Sequence, residues 1–303
     1  MARPYTLAIF TKNRVNPAYA AARLAADRVA AEAGARTVHF VPETPDDVGQ
    51  QKALVGEALA IAPDAVIFVP VDDKQMVPDL ARFAQAGIPV VTCINRIDGK
   101  VASFVGSDDV AVGRTAARAL IEGLGGPNGR GAGIVAIEGA PVAPTSRDRT
   151  VGLREVLAET PAVTLLGSGV GYFQQAPARE EMARLLAEHP AIDGVWTSND
   201  VMAFGVLEAL KTAGRTAKVV GVNGLPEAID HIERGTMRAS VDFSAFNIAG
   251  IAAHAALRHL GGQAVPASIM VPAALIDRTN YRQWKVPFAL RPTPSWEEIV
   301  VHR

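Results

Sequence analysis

The chain has 303 residues, 49% of them hydrophobic and 20% charged, enough for two lobes with separate cores and too long for one small domain. Thirty basic residues against thirty-one acidic give a formal charge of −1, which offers no electrostatic case for a nucleic-acid or polybasic membrane partner. A single cysteine, Cys93, excludes an internal disulfide, and no run approaches the roughly 18 apolar residues of a membrane span. Cys93 sits in the apolar run Ile88-Pro89-Val90-Val91-Thr92-Cys93-Ile94, where it is expected as a small buried hydrophobe. The opening Met1-Ala-Arg-Pro-Tyr has no basic segment followed by an apolar core, so no export leader is expected within this sequence.

Short β-branched runs alternate with longer Ala/Leu patterns, as in parallel sheets covered by helices. The first strand is predicted over residues 5–10, followed by a helix over 16–33 that stops at Gly34. A strand at 37–41, a helix at 46–61, a strand at 65–69, a helix at 75–86 and a strand at 90–93 complete one doubly wound unit. Residues 103–109 read as a connection. A second series follows: helix 110–123, strand 133–138, helix 146–158, strand 163–170, helix 178–188, strand 194–197, helix 200–213, strand 218–221 and helix 226–234. Strand 239–241, helix 247–260 and an extended stretch over 268–276 break the tandem, and either extend the second sheet or return to complete the first; the return is favoured. From Asn280 onward, Pro287, Pro292 and Pro294 mark an irregular strap.

Several landmarks stand at strand-to-helix or hinge positions. They are Asn16-Pro17-Ala18-Tyr19, Gly87-Ile88-Pro89-Val90-Val91 leading to Asn95-Arg96, Val105-Gly106-Ser107-Asp108, Arg147-Asp148-Arg149, Ser198-Asn199-Asp200-Val201-Met202-Ala203 and Val220-Gly221-Val222-Asn223-Gly224. In this order they resemble the type I periplasmic binding proteins, and among them the ribose-binding branch, over nearly the whole chain. The resemblance implies an α/β fold of two doubly wound parallel-sheet lobes joined by a multi-strand hinge. One lobe would comprise residues 1–106 with 244–273, the other 107–243 with 274–303. The implied function is the solute-binding component of an ABC import system that closes about crossing segments near Ser107, Asp242 and Ala273. It would work in the periplasm as a monomer with a membrane permease as partner, and without enzymatic activity, cofactor, metal or nucleic acid.

A sugar shows C–H patches that stack on rings and hydroxyls that donate and accept hydrogen bonds. By resemblance the ligand-facing rings are Tyr19, Phe173 and Phe243, and the polar groups are Asn95, Arg96, Arg147, Asn199 and Asn223, with Lys12 in the loop after the first strand. Each has a plainer reading: Asn199 as a helix N-cap, Phe173 and Phe243 as core rings, Lys12 in solvent. Arg147 is the arginine chosen by alignment, and Arg149 is read as a solvated or lobe-bridging charge. Where the ribose branch usually has aspartates this chain has Asn95 and Asn223, its Ala18 replaces an aromatic and its Phe243 an amide. Arginines kept without those carboxylates suggest an anionic, sugar-acid ligand. Neutralisation by Asp108, Asp148 or Asp242 would restore a neutral sugar or polyol.

Two other classes compete. The glycine-rich segment 125–131 leads from helix to strand, opposite to a phosphate-cradling loop, and Gly167-Ser168-Gly169 lacks nucleophile-elbow spacing. His254 and His259 stand five apart, off a shared helical face. The effector domain of a lactose-repressor-type regulator shares the fold, but it needs a helix-turn-helix module before the first strand.

Overall fold

The computed structural model describes residues 3–126 and 131–301. The glycine-rich segment 125–131 therefore lies largely outside the described residues, as does the opening Met1-Ala2. In chain order the elements are β1 (Thr6–Phe10), α1 (Pro17–Glu32), β2 (Arg36–Phe40), α2 (Val48–Ala60), β3 (Ala65–Phe68), α3 (Val77–Gln85), β4 (Val90–Cys93) and β5 (Ser103–Gly106). They continue with α4 (Asp109–Gly123), β6 (Ala132–Glu138), α5 (Pro144–Ala158), β7 (Val163–Val170), α6 (Gln175–Glu188), β8 (Gly194–Thr197), α7 (Asp200–Thr212), β9 (Lys218–Val222) and α8 (Pro226–Arg234). Last come β10 (Ala239–Asp242), α9 (Ala245–Leu260), β11 (Ser268–Met270) and β12 (Ala274–Asp277).

The chain divides into two compact units: residues 1–107, 244–271 and 288–303 form unit 1, and residues 108–243 and 272–287 form unit 2. Unit 1 carries the sheet β11-β5-β4-β3-β1-β2 and unit 2 the sheet β12-β10-β9-β8-β6-β7. All pairings are parallel except β10 with β12. In each sheet the first strand of the unit (β1 or β6) has its successors on both sides, which makes a topological switch point at its carboxyl end.

The central strands are largely apolar because helices cover both faces, and every residue of β1, β3, β4 and β8 is buried, whereas the edge strands β2 and β7 are partly exposed. In unit 1 the rings of Phe10, Phe40, Phe68 and Phe83 pack together, with Phe10 stacked on Phe40 at 4.9 Å. Rings of this size contribute about 1.5–3 kcal/mol each when fully buried. In unit 2 the helices α4 and α5 touch backbone to backbone. A Cβ on Gly113 would stand 2.1 Å from the Arg149 carbonyl oxygen, and one on Gly152 would stand 2.1 Å from that of Val110. Any side chain at either glycine would force the helices apart.

Three expectations change. The connection predicted at 103–109 is a strand, β5, bonded to β4 and β11. The segment 239–276 neither only extends nor only returns: β10 adds to the second sheet, α9 and β11 return to unit 1, and β12 pairs antiparallel with β10. The strap from residue 288 belongs to unit 1, whereas 274–303 was expected with the second lobe. The cause is an apolar surface on α1 and α9 that needs cover. Phe288 stacks on Phe246 at 6.1 Å, Trp296 is buried beneath the Arg258 guanidinium, and Arg28 donates to the carbonyls of Ala289 and Arg291.

Candidate functional site

Every ligand-facing candidate from the sequence lies at, or just beyond, the carboxyl end of a strand or on the helix that follows. Each unit therefore presents a polar face at the edge where open α/β sheets bind ligands.

On the unit 1 face Lys12 follows β1. It is 2% exposed, not in solvent, and its Nζ lies 3.6 Å from the Asp46 carboxylate. The Asn13 side chain donates to the same carboxylate at 3.3 Å and accepts from the Asn16 backbone at 3.0 Å, while Asn16 caps α1 through the Ala18 N–H. Tyr19, on the first turn of α1, is half-buried. After β3, the Asp72 carboxylate accepts from the backbone N–H groups of Lys74 and Gln75, each at 2.8 Å, and so fixes the loop.

Asn95 follows β4 and is 1% exposed. Its Nδ2 donates to the Pro70 carbonyl at 2.9 Å, and this bond fixes which way the amide points. Its Oδ1 is buried with no hydrogen-bond partner among the described residues. A buried acceptor without a donor costs about 1–3 kcal/mol, and a ligand hydroxyl would recover it. Ile94, just before, holds φ at 65°, a left-handed conformation that a β-branched residue adopts only under constraint. Arg96 is exposed. Its guanidinium lies over the Phe104 ring at 4.9 Å, and no carboxylate partner is found for it among the described residues.

On the unit 2 face the arginine brought inward is Arg149. It is 3% exposed, its Nε donates to the Asp109 carboxylate at 2.8 Å, Nη1 donates to the Ser198 carbonyl at 2.9 Å, and its plane covers the Phe243 ring at 4.8 Å. This overturns its reading as a solvated charge. Arg147 is exposed, with Nη1 on the carbonyls of Pro141 and Val142 at 3.2 and 3.0 Å. The pattern of α5 explains the difference. Ser146, Arg149, Thr150, Leu153 and Val156 recur at helical spacing on the buried face, and Arg147 falls outside it.

The close contact at Gly113 and Gly152 sets this face of α5 against Asp109 at the start of α4. Of the carboxylates expected to neutralise an arginine, Asp108 is the N-cap of α4, accepting from the Ala111 N–H at 2.9 Å. Its neighbour Asp109 forms the pair.

Asn199 is the N-cap of α7, accepting from the Met202 N–H at 2.8 Å, and its Nδ2 also donates to the Phe173 carbonyl at 3.3 Å. Phe173 is half-buried with φ at 59°; its ring lies so close to Gly139 that a Cβ there would be 2.2 Å from Cζ. Asn223 follows β9 with φ at 136° and is buried, as is Phe243 beyond β10. Strained residues thus gather at these strand ends, as they do at binding sites.

Beneath Asn223 lies Asp200. It is fully buried, and desolvation, aided by the neighbouring Asp242, pushes its carboxyl up to about 7 against the opposing hydrogen bonds from Leu225, Ser240 and Gly224. Cys93 is buried in β4, and desolvation pushes its thiol up to about 12, which leaves it no role as a nucleophile.

Two mainly parallel sheets of the same strand order, each with buried amides, a paired cation and rings at its carboxyl edge, define the architecture of a type I periplasmic binding protein. The chain belongs to the periplasmic binding protein family: the profile of the periplasmic binding protein domain matches residues 7–264. Within that family it is of the ribose-binding type. It is 27% identical over 274 residues to the ribose import binding protein of Bacillus subtilis, covering 90% of this chain and 87% of that one.

The D-allose-binding periplasmic protein of Escherichia coli is 32% identical over 186 residues, 58% of this chain and 59% of that one. Among solved structures, an ABC transporter periplasmic solute-binding protein from Actinobacillus succinogenes with bound D-allose superposes with a TM-score of 0.86 at 26% identity. The match covers 93% of this chain and all of that one. A solute-binding protein from Mycobacterium smegmatis with bound glycerol gives 0.85 at 29% identity, covering 93% and 96%. This company of transport components is non-enzymatic and does not favour the transcription-regulator alternative.

Proposed function

We propose that the chain is the solute-binding component of an ABC importer and takes a neutral sugar or polyol between its two polar faces by closure about the crossing segments. Tyr19, Asn95 and Arg96 would serve from unit 1, with Lys12 in support. Arg149, Phe173, Asn199, Asn223 and Phe243 would serve from unit 2, Arg149 taking the place assigned to Arg147. The protein then acts as a monomer in the periplasm and hands its ligand to a membrane permease.

The observation that carries the neutral ligand is the 2.8 Å Arg149–Asp109 pair. It balances the buried guanidinium before any ligand arrives, as Asp46 balances Lys12. An anionic ligand would bring a second buried negative charge to an arginine already matched. The orphan Asn95 Oδ1 asks for a donor, which a hydroxyl has and a carboxylate lacks. The similar solved structures with bound D-allose and bound glycerol support the same class.

A second reading rests on Arg96. Exposed and without a carboxylate partner among the described residues, it would favour a sugar acid. Calorimetry with D-ribose, D-allose, xylitol and glycerol beside D-gluconate and D-galacturonate separates the two. Heat from a neutral member alone is the expected result; heat from the acids alone transfers the case to Arg96, and heat from none removes the reading.

A further inference from the structure

Asn223 begins a tight turn between β9 and α8 whose next two backbone N–H groups point into the protein. The Gly224 N–H donates to Ser240 Oγ at 3.0 Å, and the Leu225 N–H donates to Asp200 Oδ2 at 2.9 Å. Ser240 Oγ in turn donates to Asp200 Oδ1 at 2.7 Å. A three-residue turn is thus hung on one carboxylate and one hydroxyl, which come from different elements, the first residue of α7 and the middle of β10.

The geometry leaves the turn little freedom of its own. Asn223 is held at φ 136°, and Gly224 at φ 62° stands where a Cβ would lie 2.9 Å from Asp242 Cβ and 2.8 Å from Ile276 Cδ1. Gly221 closes the space from the β9 side, since a Cβ there would meet Asp200 Oδ1 at 2.2 Å. Such a conformation persists only while its hydrogen bonds over-determine it.

We propose that Asp200 and Ser240 are positioning residues for ligand capture: they hold the Asn223–Leu225 turn in its strained form and so present the Asn223 side chain at the unit 2 face. The inference rests on the reading of Asn223 as a ligand-facing residue. An N-capping Asn199 next to Asp200 ties the same node to Phe173, so two ligand-facing groups share one support.

The carboxylate is more than a packing group because its charge state sets how firmly the turn is held. Ionised, it accepts two charge-assisted bonds, from Ser240 and Leu225; protonated, it loses one acceptor site and weakens both. The groups that bear on it are Asp242 on β10, a like charge that favours the proton, and the Leu225 and Gly224 N–H donors and Ser240, which favour the anion. Its place at about 7 makes the turn sensitive to pH around neutrality.

The test measures affinity calorimetrically for the tightest-binding neutral member of the panel above, with D-allose tried first, from pH 5.5 to 8.5. Hydrogen exchange of the peptide spanning 223–225 is followed in the same unliganded samples. Wild-type affinity should strengthen as pH rises through about 7, and Asp200→Asn should abolish that dependence. Ser240→Ala should weaken affinity about fivefold, the scale of one lost hydrogen bond, and speed exchange at Gly224 and Leu225, while an intact thermal transition shows the fold retained. Asn223→Ala must weaken affinity at least as much.

Wild-type affinity in Asn223→Ala, or no binding by any panel member, overturns the ligand face itself and this inference with it. Weak binding in Asn223→Ala beside unchanged affinity, exchange and pH profile in both Asp200→Asn and Ser240→Ala leaves the face standing and overturns the positioning role alone.

Discussion

The two sheets share one strand order, yet their carboxyl edges handle charge differently. In unit 1 the Lys12 ammonium sits 3.6 Å from Asp46, and Asn95 keeps a buried oxygen without a donor. In unit 2 the Arg149 guanidinium meets Asp109 at 2.8 Å, adds the Ser198 carbonyl, and lies on Phe243. The unit 2 face thus has its buried guanidinium fully matched, while the unit 1 face keeps a buried acceptor with no donor among the described residues. The comparison teaches that matching topology does not imply matching roles. On the proposed function, the finished ion pair would supply a rigid, neutral surface for ring and hydroxyl contacts, and the orphan acceptor would supply selectivity for a donor.

The strongest blow to that contrast would fall on the finished pair. Asp109→Ala leaves Arg149 buried without its carboxylate, and breaking such a pair costs about 3–5 kcal/mol. Urea denaturation should show the midpoint for unit 2 falling by a corresponding amount with little change in slope. A loss under about 1 kcal/mol, typical of an exposed pair, would mean that Arg149 finds water and that the wall is not pre-built.

A smaller effect sharpens the contrast through Asp200. Its carboxyl is raised from 3.8 to about 7, so the folded state binds a proton that the unfolded chain has released over that interval. Its contribution to stability is fully present below pH 4, declines as pH rises, and levels off above pH 7. Wild-type protein should therefore lose stability between those limits relative to Asp200→Asn, measured by denaturant midpoints at each pH. Parallel pH profiles for the two proteins would show that Asp200 ionises normally.

Much of this was legible in the sequence. Alternating β-branched and Ala/Leu runs marked nearly every strand and helix, because strands covered on both faces must be apolar throughout. The strand β5 was missed because Ser103-Phe104-Val105-Gly106 is short, ends in glycine and precedes a run of aspartates, which reads as a connection. The course of the strap was not readable, since nothing local says which unit has an uncovered apolar surface.

Within the site, the choice between Arg147 and Arg149 could have been made from the sequence. Leu153 and Val156 define the inner stripe of α5, and four residues before Leu153 is Arg149. Asp109 gave less warning: beside Asp108 it differs only in facing inward from the first turn of α4, where the contact at Gly113 and Gly152 decides what it meets. The orphan oxygen of Asn95 could not be read at all, because hydrogen-bond satisfaction depends on where the Pro70 carbonyl comes to rest.

One titration reaches the center of the account. The neutral sugar or polyol that binds the wild-type protein is titrated into Asn95→Ala, which alters unit 1, and into Arg149→Lys, which keeps the charge in unit 2 but loses the planar fork. If both faces grip one ligand, each substitution should weaken affinity about tenfold, the scale of a hydrogen bond to a desolvated ligand group. Wild-type affinity in either variant, with the other impaired, would place the ligand on one unit alone and contradict capture by two.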